Sequence, residues 1–224
     1  VFPIQKFIDH SPLLAHIQVN PDVDGLIRHY PAVGNVSELY FPGFSLAAYT
    51  GYTGDKPKLI IHSIGESQLK MASGTLNLNN RGETKVRWLG GESNFPMTSF
   101  WDVISADDNN QKMKDLFNRT IVFIGSTAYG AHDLRHTPID PIMPGVLFHM
   151  NMTHMLLDGY FYKNESDSAF ASWIILIVGT FLILFIQFFG NPVLDIVTVL
   201  GLSLGLLYYD LHYLTPQGYQ IKLF

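Results

Sequence analysis

IVFIGSTAYGAHDLRHTPIDPIMPGVLFH, residues 121–149, holds a strand pattern, a loop pattern and a helix start in immediate succession. With Thr120 in front, residues 120–124 are a continuous apolar run rich in β-branched side chains, the pattern of a buried central strand. Gly125, Ser126 and Thr127 then make a small-residue loop of the kind found where strands of an α/β sheet end and ligands bind. Pro144 near a first turn and Gly159 just past the last predict a helix over residues 144–157. Strand-like and helix-like runs alternate along the soluble part, which predicts an α/β or α+β domain, read as α/β built on a mixed sheet.

The loop carries the candidate chemistry. His132, Asp133 and His136 are close enough to suggest a metal, but HDLRH is not an established ligand spacing, and Arg135 among the ligands repels a cation. Ser126 with Asp133 and His132 or His149 has the residue types of a catalytic triad, yet the GxSxG elbow is absent. The lysine-ending phosphate loop and GxGxxG are absent too. No catalytic residue, metal or cofactor is therefore assigned. Ser126, Thr127, Asp133, Arg135, His136 and His149 remain as ligand-binding or loop-orienting residues. For an anionic ligand, Arg135 offers a bidentate donor and the helix beginning near Pro144 its positive end. In the alternative, Asp133 and Arg135 pair and simply hold the connection from Gly125 to Pro138.

Towards the N-terminus, Asp22-Val23-Asp24-Gly25 is a turn, and the runs 16–19 and 26–33 around it predict a hairpin. FSLAAY, residues 44–49, predicts a short helix. Residues 59–64, 75–78 and 85–89 predict strands, and Thr98 or Ser99 is placed to cap a helix over residues 100–104.

The chain has 224 residues, a formal net charge of −5 and only 15% charged residues, against roughly a quarter in an ordinary soluble domain. Of the cations only Lys222 follows Lys163, and of the carboxylates only Asp195 and Asp210 follow Asp167, so the deficit is local. Residues 168–189 and 193–212 read as two membrane helices joined at Gly190-Asn191-Pro192, a hairpin in contact with lipid, and residues 213–224 lead on from it. Gly201, Ser203 and Gly205 read as small residues that let helices approach, without a strict GxxxG motif. Residues 1–167 read as one soluble domain. The acidic balance and lack of a basic cluster argue against nucleic acid as a partner. The absence of cysteine excludes disulfides and thiol chemistry. Four Asn-x-Ser/Thr triplets begin at Asn35, Asn118, Asn151 and Asn164 and are too short a pattern to assign glycosylation.

The succession DGLIR (24–28), FSLAAY (44–49), IVFIGSTAYGAHDLRHTP (121–138) and MPGVLFH (143–149), followed by closely spaced apolar helices, resembles the type-two CHASE domain. That family is an extracytoplasmic sensory module of bacterial receptors. By the resemblance, Asp24, Gly25, Arg28, Gly125, Pro138, Pro144 and Gly145 are structural motif positions, and Asp133 and His149 fall within the motif. It implies a sensor in the periplasm or outside the cell, anchored in the bacterial inner membrane, signalling rather than catalysing. It also implies a further N-terminal half from the same precursor or another chain, an oligomer or larger membrane complex, and an output domain elsewhere. The alternative is a structural subunit of a cell-envelope membrane complex with the same fold.

Overall fold

The computed structural model describes residues 5–11, 13–36, 39–62, 67–107, 109–127, 133–163, 165–188 and 192–219. Two units divide the chain, Val1–Tyr160 and Phe161–Phe224.

In the first unit a short helix α1 (Gln5–His10) precedes three strands, β1 (His29–Pro31), β2 (Val33–Val36) and β3 (Leu39–Pro42). Helix α2 (Phe44–Thr53) follows, then β4 (Lys58–Ile61), β5 (Ser67–Met71), β6 (Gly74–Leu78) and β7 (Glu83–Lys85). Helices α3 (Phe100–Ile104) and α4 (Gln111–Phe117), the short strands β8 (Leu134–Arg135) and β9 (Met143–Pro144), and helix α5 (Gly145–Asp158) complete it. All the strand ladders among the described residues are antiparallel: β1 with β7, β2 with β3, the β4–β5–β6 meander, and β8 with β9. The result is a mixed helix and sheet domain of small antiparallel sheets rather than the expected mixed sheet; the one parallel pairing is the isolated bridge between His16 and Gly43.

Helix α5 is the centre of the core. Its Leu147, Phe148, Met152, Met155 and Leu156 recur at helical spacing and are all essentially inaccessible. They pack on α2, whose Leu46, Ala47 and Tyr49 are buried. Each such side chain taken from water stabilises the fold by about 1.5–3 kcal/mol. Pro144 precedes α5, and Gly159 ends it in the left-handed region at φ 65°, the expected asymmetry. Asn151 is also fully buried. Its carbonyl accepts from the Leu89 and Gly90 amides, and its NH2 donates to the Gly90 and Leu147 carbonyls, which ties the 89–90 segment to α5. A residue so enclosed is no glycosylation acceptor. On the surface, Ser99 caps α3 as expected, its Oγ accepting from the Trp101 amide at 3.2 Å.

Three expectations are corrected. Residues 120–124 are not a buried strand: they belong to no ladder, and Val122 is 51% and Ile124 82% exposed. β-propensity without a pairing strand does not by itself place a run in a sheet. The Asp22–Gly25 turn forms, with Gly25 at φ 82°, but it does not join a hairpin, because β1 pairs with β7 instead. Residues 86–89 also fall outside any ladder, β7 ending at Lys85, although the Val86 amide still donates to the Arg28 carbonyl at 2.8 Å.

The second unit holds α6 (Glu165–Gln187) and α7 (Pro192–Tyr209), packed on each other, with α7 running on into a π-helical turn (Asp210–Leu214). The stretch Pro192–Leu214 is the one helix among the described residues long and apolar enough to cross a membrane; within α6 the apolar part is Ser172–Gln187. Gly190 and Asn191 of the expected break lie outside the described residues, and Pro192 opens α7. Gly201 and Gly205 are four apart, so the GLSLG run does have GxxxG spacing, and a side chain at either would meet nothing within 4 Å.

Candidate functional site

Two clusters hold part of the set of residues singled out in the sequence, and a backbone hydrogen bond joins the loop before the first to the turn of the second: the Ile27 amide donates to the His136 carbonyl at 2.8 Å.

The first cluster gathers around the start of α5. Arg135 pairs with Asp133 at 2.9 Å. The Gly145 amide donates to the Asp133 carbonyl at 2.8 Å, and a Cβ on Gly145 would lie 2.5–2.7 Å from the Asp133 carboxylate. The chain's own carboxylate therefore lies beside the first residue of α5, where the helix dipole favours negative charge. A Cβ on Gly125 would lie 2.6 Å from the Val146 Cβ, so this glycine also serves a close approach to the first turn. These contacts favour the loop-orienting role of Asp133 and Arg135 over an anion site at the helix end. Asp133→Asn and Arg135→Gln should each lower stability by about 1 kcal/mol, the scale of a half-exposed pair at a helix terminus. Urea titration of both singles and the double should show the double losing less than the sum; additive losses would separate the two residues.

His149, one turn further along α5, is 8% exposed. Its ring stands edge-on to Phe44, Tyr30 and Phe148, with centroids 5.2, 6.2 and 5.4 Å away. The buried Ser45 hydroxyl donates to the His149 carbonyl at 3.1 Å and lies 3.3 Å from Nδ1, where it accepts if Nδ1 carries the proton. Burial pushes the imidazole down to about 4; the Asp133 charge opposes this, and Arg135 and His16 add to it. His149 is therefore enclosed in the core among aromatic rings, and its burial favours the neutral imidazole. His16, which the sequence did not single out, has both ring nitrogens enclosed without a hydrogen-bond partner among the described residues, and burial lowers its pKa as well.

The other loop candidates that the structure describes lie at the surface. Ser126, Thr127, His136 and Pro138 are exposed, and His132 lies outside the described residues. Thr137 is buried, its hydroxyl donating to the Asp140 carbonyl and accepting the Asp140 amide, which fixes the turn around Pro138.

The second cluster is the DGLIR turn. Arg28 forks onto Asp24, at 2.9 and 2.7 Å, and reaches Asp22 at 3.1 Å; the second Asp22 oxygen meets His29 Nδ1 at 2.9 Å. The Asp24 carboxyl is held down to about 2, chiefly by Arg28 and then by the Leu26 amide. Facing the turn, across an open cleft of about 780 Å3, is the Asn79–Gly82 connection between β6 and β7. Glu83 lines the cleft at 6% exposure, its two oxygens accepting from the side-chain amides of Asn20 (3.4 Å) and Asn79 (3.1 Å). Glu83 lies just before the strand expected over residues 85–89, and nothing in the sequence marked it in advance.

Compared with known families, the chain matches the model of the CHASE2 domain over residues 4–189. The chain belongs to the CHASE2 family, a family of extracytoplasmic sensory domains found in membrane receptors. No curated protein and no solved structure matches it significantly.

Proposed function

We propose that this chain is the signal-sensing part of a bacterial inner-membrane receptor, with its first unit in the periplasm or outside the cell and α6 and α7 crossing the membrane as a hairpin. The observation that carries the reading is the CHASE2 match, which runs through the first unit and on to residue 189, past the end of α6. The hairpin is supported by the packing of α6 on α7 and by the solvent-facing apolar side chains of both helices, which water does not favour. A signal shifts such a receptor only by its different affinity for two states, and the helices carry that shift to an output domain. The chain itself performs no catalytic step in this reading.

The exposed run 120–124 supports a further partner within the same assembly. Phe123 meets Phe44 edge-on at 5.6 Å, while Val122 and Ile124 point outward beside backbone groups without ladder bonds. An added strand from the N-terminal half of the same precursor, or from another chain, satisfies them. This feature also suits the second reading, a structural subunit of an envelope complex.

Labelling of introduced cysteines tests the topology on a cysteine-free background. Lys56→Cys, exposed on the first unit, should react with a membrane-impermeant maleimide in intact cells. Reaction only after permeabilisation overturns the orientation.

A further inference from the structure

The cleft between the DGLIR turn and the Asn79–Gly82 connection is lined by two charges that the other lining groups do not balance, Glu83 and Arg81. Glu83 is buried and meets only neutral amides; no cation pairs with it among the described residues. Buried carboxylates are ordinarily matched by a positive charge, because desolvation penalises an ion that has none. Each Glu83 oxygen takes one amide donor and retains acceptor capacity. Arg81 is exposed on the turn, and its side chain makes no hydrogen bond or ion pair among the described residues. The turn is rigid where it matters: the Asn79 side-chain carbonyl accepts both the Arg81 and Glu83 amides, at 2.9 and 3.0 Å. The other charges in the cleft are already used, since Arg28, Asp22, Asp24 and His29 satisfy one another.

We propose that this cleft binds a small zwitterion, an α-amino acid or short peptide, with its ammonium on Glu83 and its carboxylate on Arg81. A bare cation would leave Arg81 unmatched, and a diamine would bring its second ammonium against it. An anion alone would meet the Glu83 charge. Among the described residues no group of three His, Asp or Glu side chains is placed to hold a metal ion, so an organic ammonium fits Glu83 better than a divalent cation. The volume, about 780 Å3, lies in the range of small-molecule sites, roughly 300–1,000 Å3, and exceeds what one amino acid fills, which leaves room for a dipeptide. Arg81 supplies the planar fork that recognises a carboxylate with two parallel hydrogen bonds.

The proposal rests on the sensory reading but is tested by binding alone, so that its failure leaves the topology result untouched. The whole chain in lipid nanodiscs is titrated calorimetrically with glycine, L-alanine, L-leucine, L-glutamate and glycylglycine, and with ethylammonium and acetate as single-charge probes. At least one zwitterion should saturate below about 1 mM, and both single-charge probes should bind at least about tenfold more weakly. Arg81→Gln should weaken the zwitterion about tenfold or more and leave ethylammonium unchanged; Glu83→Gln should weaken both. Arg81 lies on an exposed turn, so that variant keeps the test decisive if circular dichroism shows that Glu83→Gln does not fold. No saturation by any zwitterion at about 10 mM, or equal binding by wild type and Arg81→Gln, overturns the proposal.

Discussion

Between pH 6.5 and 4 the wild-type chain should lose about 3 kcal/mol of folding stability through His149, and a His149→Gln variant should lose only the smaller part that His16 contributes. The folded imidazole titrates at about 4 because it is buried, whereas the unfolded one titrates near its ordinary 6.5. Across that window the unfolded state binds the extra proton, so stability is complete above about 6.5 and is lost as pH falls to about 4. At roughly 1.4 kcal/mol for each pH unit the separation corresponds to about 3 kcal/mol. The groups facing His149 are Asp133, Arg135 and His16, and His16 is itself lowered by burial, so it adds to the same fall. The carboxylates act elsewhere on the scale. Asp22, Asp24 and Asp55 have lowered folded values, so their contributions fade below the ordinary 3.8. Urea titrations of the detergent-solubilised chain at intervals from pH 8 to 4 read this directly. Glutamine retains an amide towards Ser45, and the variant should show only the His16 part of the slope. An unchanged slope in the variant would assign the effect away from His149.

Gly43→Ala should destabilise the chain by about 3 kcal/mol, the upper end of what overpacking a closed site costs. The backbone of Gly43 is ordinary, at φ −67° and ψ 156°, so the cost is one of space. A Cβ there falls on the Tyr30 hydroxyl and lies 2.6 Å from the Pro31 carbonyl oxygen. Neither side can yield cheaply. The Gly43 amide donates to the Ala32 carbonyl at 2.8 Å, and the next amide, Phe44, donates to the His16 carbonyl at 2.8 Å. The hydroxyl of fully buried Tyr30 accepts the Ser45 amide at 2.8 Å and the Leu46 amide at 3.4 Å, capping α2 where Gly43 has no side chain to do so. Tyr30→Phe alone should cost about 1–2 kcal/mol by orphaning those amides. In the double variant the new methyl enters the space of the missing hydroxyl, so the combined loss should fall short of the sum by about 1 kcal/mol. Strict additivity in thermal or urea unfolding would show that Tyr30 and Gly43 do not share this contact.

Local chemistry written in the chain was sufficient for the helices and turns. Ser99 caps α3, Pro144 and Gly159 bracket α5, and FSLAAY forms the first part of α2, because each depends on side chains within a few residues. The Asp22–Gly25 turn formed for the same reason, although the hairpin expected around it did not. Of the loop candidates, Asp133, Arg135 and His149 converge at the start of α5, while Ser126, Thr127 and His136 stay on the surface. Asn151 and His16 were illegible in advance: what makes them matter is which segments fold over them.

The sequence by itself determined the acidic balance, the charge-poor apolar C-terminal block, and the motif order that places the chain among the CHASE2 domains. Only the tertiary structure decided which strands pair, that residues 120–124 stay outside every ladder, that Asp133 lies beside the start of α5, and that Glu83 is buried across the cleft from the DGLIR turn. The physical reason is separation along the chain. Caps, turns and apolar helices are set by interactions between near neighbours, whereas β1 meets β7 more than fifty residues away, and burial of a carboxylate depends on everything that packs around it.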